Sequence, residues 1–224
     1  MISLDHSTAR QLQLNSDIER KARMLVASSY IGNLCGCWLE LLLLVPDIFD
    51  IAGRMLPTEE HPVSPTADDM TMFTVLHSQI LAYSPGLHIP QEVALAGLVY
   101  QQAVLLYLLT ILGNPLRTEV GVHRSLVETT AAQGLAYLNQ IPMASRINTS
   151  LCWPIAVISS CISDPNIQSV VRIRLQAMFR FIGLGNVKET LALVEHVWEL
   201  PFPDRSPWTI FKVMQAQNIW ISFA

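Results

Sequence analysis

The chain has 224 residues, of which 51% are hydrophobic and 14% charged, and its formal net charge is −4. This length and hydrophobic content are typical of one domain with a large core. The 14 lysine and arginine residues are scattered along the chain. Because phosphate binding needs several basic side chains on one face, the composition argues against nucleic-acid binding by this chain.

Four cysteines, at positions 35, 37, 152 and 161, have spacings that match no metal site. We expect them to be buried thiols, with no metal and no cofactor. Free thiols are typical of a reduced, intracellular compartment. The polar start of the chain does not look like a signal peptide.

The first predicted helix starts at the capping box Ser16-Asp17-Ile18-Glu19. We expect a long helix to run from there to Val45, with its second half buried because it is apolar nearly all round. Gly32 and Gly36 would let a neighbouring helix approach closely.

Pro46 is expected to end that helix, since proline lacks the amide hydrogen that a helix interior needs. Asp47 can cap a short helix that runs to Met55. Residues 57–65 contain three prolines, which predicts a mobile loop.

The Thr66-Ala67-Asp68-Asp69 segment predicts a helix to about Tyr83. The next helix opens at residues 90–92, and residues 93–116 carry no charge and are long enough to span a membrane. Gln101 and Gln102 near its centre favour a buried core helix instead, so we expect no membrane association. Further helices are predicted at 118–138, 154–161, 165–181, 187–200 and from 206.

Every long segment shows the period of a helix, and no hairpin dipeptide separates two strand-like runs. The predicted fold class is all-α. We expect residues 1–224 to form a single-domain multi-helix bundle of roughly eight to ten helices.

Several motifs occur together in a characteristic order along the chain. They are residues 100–108, then Cys152-Trp153-Pro154, then Arg172, then the glycine turn at 183–186, then Glu195-His196-Val197-Trp198. As a set they resemble the fungal-specific transcription factor domain, which is the helical regulatory region downstream of the zinc binuclear cluster in fungal activators. The resemblance covers Tyr30 to the C-terminus.

This resemblance implies a helical domain that governs an activator's response or partner choice and does not itself read DNA. The zinc cluster of such activators needs six cysteines and a basic helix. This sequence has four cysteines, none so arranged. We therefore expect either a fragment of a longer regulator or a protein that kept the helical domain and lost the DNA-binding part.

One functional hypothesis is a regulatory domain that binds a partner or an apolar small molecule, located in the nucleus. Ligand pockets in helical bundles lie between helices and are built from aromatic side chains with a few polar anchors. Trp38, Tyr100, Tyr107 and Trp153 would supply the walls, and Arg124 an anchor. The alternative is that these aromatic residues simply fill the core.

The other hypothesis is a stand-alone cytoplasmic enzyme derived from the same domain, such as a cyclase or isomerase acting on an apolar metabolite in secondary-metabolite biosynthesis. Glu40 lies among apolar residues, where burial would raise its pKa and make it a general acid. Alternatively, Glu40 pairs with Arg172 or Arg174, or points out of the bundle.

His123 is the second catalytic candidate, since histidine titrates near neutral pH. Arg124 and Glu128 stand four residues apart beside it and can pair on one helix face, which would make the group an ordinary solvated surface. The high apolar content also makes a homodimer plausible, although the sequence does not identify an interface.

Overall fold

The computed structural model describes residues 16–28, 30–32, 36–56, 65–112, 121–201 and 204–221. Within these ranges the chain forms nine α-helices of seven residues or more and one of four residues, and no β-strand. The all-α prediction is confirmed. The helices are α1 Ser16–Ala27, α2 Leu39–Leu42, α3 Val45–Met55, α4 Ala67–Ala82, α5 Gln91–Leu109, α6 Gly121–Gln140, α7 Cys152–Ser160, α8 Pro165–Ile182, α9 Gly185–Glu199 and α10 Ile210–Ala216. Short 3-10 turns lie at Thr110–Leu112, Arg146–Ser150 and Pro207–Thr209.

Helix α5 is the centre of the bundle and packs against α3, α4, α6 and α7. By length and composition, the segment from Gln91 to Leu112 could cross a membrane. However, 89% of an apolar 18-residue stretch within it is buried inside the protein. The Gln101 amide donates hydrogen bonds to the carbonyl oxygens of Ile80, at 2.8 Å, and Tyr83, at 3.2 Å, at the end of α4. These contacts fit the expected core helix.

Several helix ends follow the predicted local chemistry. Thr66 and Asp69 form a capping box at the start of α4. The Asp164 side chain accepts from the amide of residue 166, with Pro165 in the first turn of α8. Gly183 ends α8 in the left-handed conformation, at φ 73°.

The predicted long helix over residues 16–45 is wrong. Helix α1 ends at Ala27, and Gly36 has a φ of 46°, which a helix does not allow. A Cβ on Gly36 would lie 2.1 Å from the Trp38 ring, so the close neighbour is a side chain of the same segment rather than another helix. Pro46 lies in the first turn of α3 and starts that helix instead of ending one.

Some predictions fall outside the described residues. They include the mobile loop at 57–65 apart from Pro65, the start of the helix predicted at 118–138, and Cys35. The side chain of Ser16 also lies outside them, although α1 begins at this residue as predicted.

Arg174 on α8 stabilises the turn that precedes α7 through hydrogen bonds. Its buried guanidinium donates to the carbonyl oxygen of Ile141 and to Oδ1 of Asn148, both at 2.8 Å. Burial lowers the pKa of Arg174 because the charged form loses water. The Tyr100 hydroxyl donates to the carbonyl oxygen of Ser150 at 2.6 Å, which ties the same turn to α5.

Candidate functional site

Six rings form a continuous contact series, which we call the aromatic array. Trp38 stacks on Tyr100 with ring centroids 4.5 Å apart, and Trp153 bridges Tyr100 and Tyr107 at 5.7 and 5.8 Å. Tyr107 meets Trp208 edge-on at 4.9 Å. Phe49 completes the array by contacting both Tyr107 and Trp208. The array therefore contains all four aromatic residues that were predicted as ligand walls, together with two that were not.

The rings of the array pack on one another, as the core-filling alternative expects. Trp38 is fully buried, and Tyr100, Tyr107 and Trp208 are nearly so. Burial raises the pKa of the Tyr107 hydroxyl, and Trp208 Nε1 donates to Thr110 Oγ1 at 3.0 Å. Ligand binding by these rings stays a prediction.

A surface groove of about 450 Å³ lies between α1, the α2 region and the end of α4. Its walls are mostly aliphatic, with two charged side chains. It is lined by Arg23, Val26, Ala27, Glu40, Leu41, Leu43, Leu44, Gln79, Ala82 and Tyr83. We refer to it as the groove.

Glu40 is one of the two charged residues that line the groove. Glu40 is exposed, as the alternative of a side chain pointing out of the bundle expects, and partial loss of water contact raises its pKa from the ordinary value. The predicted alternative of a pair with an arginine of α8 is wrong, since Arg172 pairs with Glu195 at 2.7 Å and Arg174 holds the turn before α7. Within the described ranges Glu40 has no ion pair.

A hydrogen-bonded thiol and phenol lie beside Glu40. Cys37 Sγ is 3.1 Å from the Tyr83 hydroxyl and donates to the carbonyl oxygen of Val93 at 3.4 Å. Burial raises the pKa of both groups, and the nearby charge of Glu40 adds to each shift. Both are therefore protonated at neutral pH. The lack of a side chain on Gly97 leaves room for the thiol and the phenol, because a Cβ at this position would lie 2.1 Å from the Tyr83 oxygen and 2.8 Å from Sγ.

His123 lies at the other end of α5 from Glu40. Its Nε2 is 3.0 Å from the carbonyl oxygen of Leu109, whereas Cys37, three residues before Glu40, donates to the carbonyl oxygen of Val93 in the first turn of that helix. Sixteen residues of helix separate the two ends by about 24 Å, so the structure does not bring the two catalytic candidates together. Arg124 forms the predicted ion pair with Glu128, at 2.8 Å, on the exposed face of α6.

In the parts of the chain that are described, no three histidine, cysteine or acidic side chains come together as metal ligands. Cys37, Cys152 and Cys161 are free thiols. Burial raises the pKa of the Cys152 and Cys161 thiols as well, which keeps them protonated.

Comparison with protein families gives a match that covers nearly the whole chain. The sequence profile described as "Fungal specific transcription factor domain" matches residues 3–224. Searches of curated proteins and of solved structures each gave no significant match.

Proposed function

The chain belongs to the fungal-specific transcription factor domain family, and from this premise we propose that it is a regulatory domain that senses a small apolar molecule bearing a protonated amine. Family membership supports a role in gene regulation and hence within the cell. We further propose that the protein acts in the nucleus and that a separate polypeptide segment binds the DNA. The observation that carries the choice of ligand is the Glu40 carboxyl at the apolar groove, with no ion-pair partner among the described residues.

The size and chemistry of the groove suit a small organic molecule. Its volume of about 450 Å³ falls within the range of known ligand pockets, which are mostly apolar with a few polar anchors. Arg23 is already paired with Glu19 at 2.6 Å, so Glu40 supplies the uncompensated charge. A carboxylate that has lost water is stabilised by a cation, which favours an amine over a neutral or acidic group.

Glu40 is close enough in the chain to the core for ligand binding at the groove to affect core packing. Glu40 is two residues from Trp38, whose ring stacks on Tyr100 of the central helix α5. A ligand that binds Glu40 and Leu41 would favour the arrangement in which this stack is formed. The aromatic array would then transmit binding at the surface to helices α5 and α7.

The alternative of a cyclase or isomerase rests on Glu40 as general acid. The neighbouring titratable groups, Cys37 and Tyr83, are held protonated by their raised pKa values, and His123 lies at the far end of α5. Among the described residues, the groove thus offers no base to partner Glu40. We therefore favour sensing over catalysis.

A matched pair of fluorescent probes tests the proposal. Dansyl cadaverine carries a primary amine at the end of a five-carbon chain, whereas N-pentyl dansyl amide has the same ring system and the same chain without the amine. We expect the amine probe to bind roughly fivefold more tightly, as a contribution of about 1 kcal/mol from a solvent-accessible ion pair implies.

Glu40→Gln should abolish that preference while leaving the affinity for N-pentyl dansyl amide unchanged. Glu189→Gln, which alters an exposed carboxyl of α9, is the control and should keep the preference for the amine probe. Equal affinity of the unaltered protein for both probes, or a preference that survives Glu40→Gln, contradicts the proposal.

A further inference from the structure

Helix α1 is attached to the rest of the protein more loosely than the other helices, and we propose that it is a lid that opens and closes over the groove. From Asp17 to Ala27, none of its described side chains is buried. Its apolar residues Ile18, Met24 and Leu25 are 56%, 63% and 40% exposed. Within the described ranges, every other helix of seven residues or more contributes buried side chains to the core.

Two ion pairs of α1 stabilise the helix itself rather than its attachment. Arg20 pairs with Asp17 at 3.2 Å and Arg23 with Glu19 at 2.6 Å, both within the helix. Exposed pairs of this kind contribute only a little to stability, and a helix of 12 residues is marginal in water by itself. Helix α1 therefore depends on a small contact area with the rest of the protein. Its local opening should cost much less free energy than unfolding of the domain.

The connection from α1 to α2 is exposed next to α1 and buried next to α2. Among its described residues, Tyr30 and Ile31 are exposed, and burial begins at Gly36. The amide of Gly36 donates to the carbonyl oxygen of Gly32 at 3.0 Å, so the chain turns back on itself there. The described residues on the α1 side of this turn can therefore move without disturbing the Trp38 ring, which is fully buried.

Helix α1 supplies one wall of the groove. It contributes Arg23, Val26 and Ala27, while the opposite walls belong to the α2 region and the end of α4. Those walls are fixed to the core, since Leu41 of α2 and Ile80 of α4 are buried. Movement of α1 therefore widens or narrows the groove, whereas its other walls stay in place.

Closure of the lid and binding of a ligand favour each other. This step rests on the proposed function, whereas the opening of α1 does not. A molecule in the groove contacts both Val26 of α1 and Leu41 of the opposite wall only when α1 is closed, and the apolar surface buried in this way stabilises the closed state. Ligand binding thus shifts the population towards the closed state. Conversely, a change that makes the closed state rarer lowers the apparent affinity for the ligand.

Hydrogen exchange followed by mass spectrometry tests the opening of the lid. In the protein without a probe, the hydrogen-bonded amides of α1 should exchange roughly a hundredfold faster than those of α4, after correction for intrinsic rates, because local opening exposes them. Dansyl cadaverine at about ten times its dissociation constant should slow the exchange of α1 about tenfold. Among the described helices, α10 does not line the groove, so the probe should leave its exchange unchanged.

Two substitutions of Lys21 test the coupling between closure and binding. Lys21 is an exposed residue of α1 and is not among the described residues that line the groove. Lys21→Ala and Lys21→Gly remove the same charge, but glycine destabilises the helix. Lys21→Gly should therefore bind dansyl cadaverine roughly threefold to fivefold more weakly than Lys21→Ala. Lys188→Gly, at an exposed position of α9, is the control and should bind the probe like the unaltered protein.

Three results would overturn the proposal. Without the probe, the amides of α1 exchange as slowly as those of α4. The bound probe leaves the exchange of α1 unchanged. The Lys21→Ala and Lys21→Gly variants bind the probe equally well. Failure of dansyl cadaverine to bind the unaltered protein contradicts the proposed function instead, and the exchange of α1 without the probe then decides alone whether the lid opens.

Discussion

Replacing Gly97 with alanine tests how the Cys37–Tyr83 pair is seated beside the groove. The new Cβ would lie 2.1 Å from the Tyr83 oxygen and 2.8 Å from Cys37 Sγ, both closer than van der Waals contact allows. The Tyr83 hydroxyl and Sγ are in turn 3.1 Å apart and hydrogen-bonded to each other. Neither atom can move away without giving up a hydrogen bond, so the clash cannot be relieved cheaply.

Two opposing effects set the size of the change. Overpacking of a close-packed site costs about 1 to 3 kcal/mol, while alanine in place of glycine within a helix gains about 1 kcal/mol. We expect Gly97→Ala to lower the free energy of unfolding by up to about 2 kcal/mol. In a Tyr83→Phe background the loss should be smaller, because the closest atom is gone.

Urea unfolding followed by circular dichroism measures the effect. Gly53→Ala is the matched control, since Gly53 lies in α3 and a Cβ there meets nothing within 4 Å. That variant should gain about 0.5 to 1 kcal/mol from helix propensity alone. If Gly97→Ala is as stable as Gly53→Ala, the close seating of Tyr83 and Cys37 against α5 is refuted.

Three further changes probe the polar contacts of the fold. Arg174→Met should lower the free energy of unfolding by about 2 kcal/mol because buried acceptors lose their donors. Arg124→Met, at an exposed ion pair, is the control and should change the free energy of unfolding by less than about 0.5 kcal/mol. Thermal and urea unfolding of both variants measure the difference. Hydrogen bonds, chiefly from Thr66, lower the pKa of Asp69 to about 2. The stabilisation by Asp69 should therefore be complete above about pH 4 and disappear as the pH falls towards 2, and urea midpoints of Asp69→Asn should lack this dependence. Tyr100→Phe removes the hydrogen bond to the turn before α7 and should cost about 1 kcal/mol by the same unfolding assay.

The sequence predicted those helix boundaries that depend on neighbouring residues. The Thr66–Asp69 capping box and the Asp164-Pro165 start of α8 use bonds that span at most three positions. Such bonds form wherever the chain turns into a helix, whatever packs around it. The buried character of α5 was also visible, because an uncharged helix with central glutamines suits a protein core.

The region between α1 and α3 could not be predicted in this way. The apolar character of residues 38–45 predicted burial, which holds for Trp38, Leu41 and Leu43 while the other apolar residues of the segment are half-buried. The break in the helix depends on the Trp38 ring, which stacks on Tyr100 far along the chain. A positive φ at Gly36 accommodates that ring. Pro46 fits the first turn of a helix as well as the end of one, and only tertiary packing decides between the two.

The candidate site was predicted in part. Glu40 was visible as an isolated carboxyl among apolar neighbours, and the structure places it at a groove. The Cys37–Tyr83 contact joins residues 46 positions apart, so no local pattern could indicate it. Gly97 within α5 is a sequence feature that could have indicated the close approach, since glycine in a helix interior usually has a packing reason.

A crystal structure of the protein with dansyl cadaverine tests the central claim most directly. We predict that the dansyl ring lies in the groove between α1 and α4, with its amine within hydrogen-bond distance, about 2.7 to 3.2 Å, of the Glu40 carboxylate. The Trp38–Tyr100 stack should be retained. A probe that binds elsewhere, or in the groove with its amine directed away from Glu40, would contradict the account.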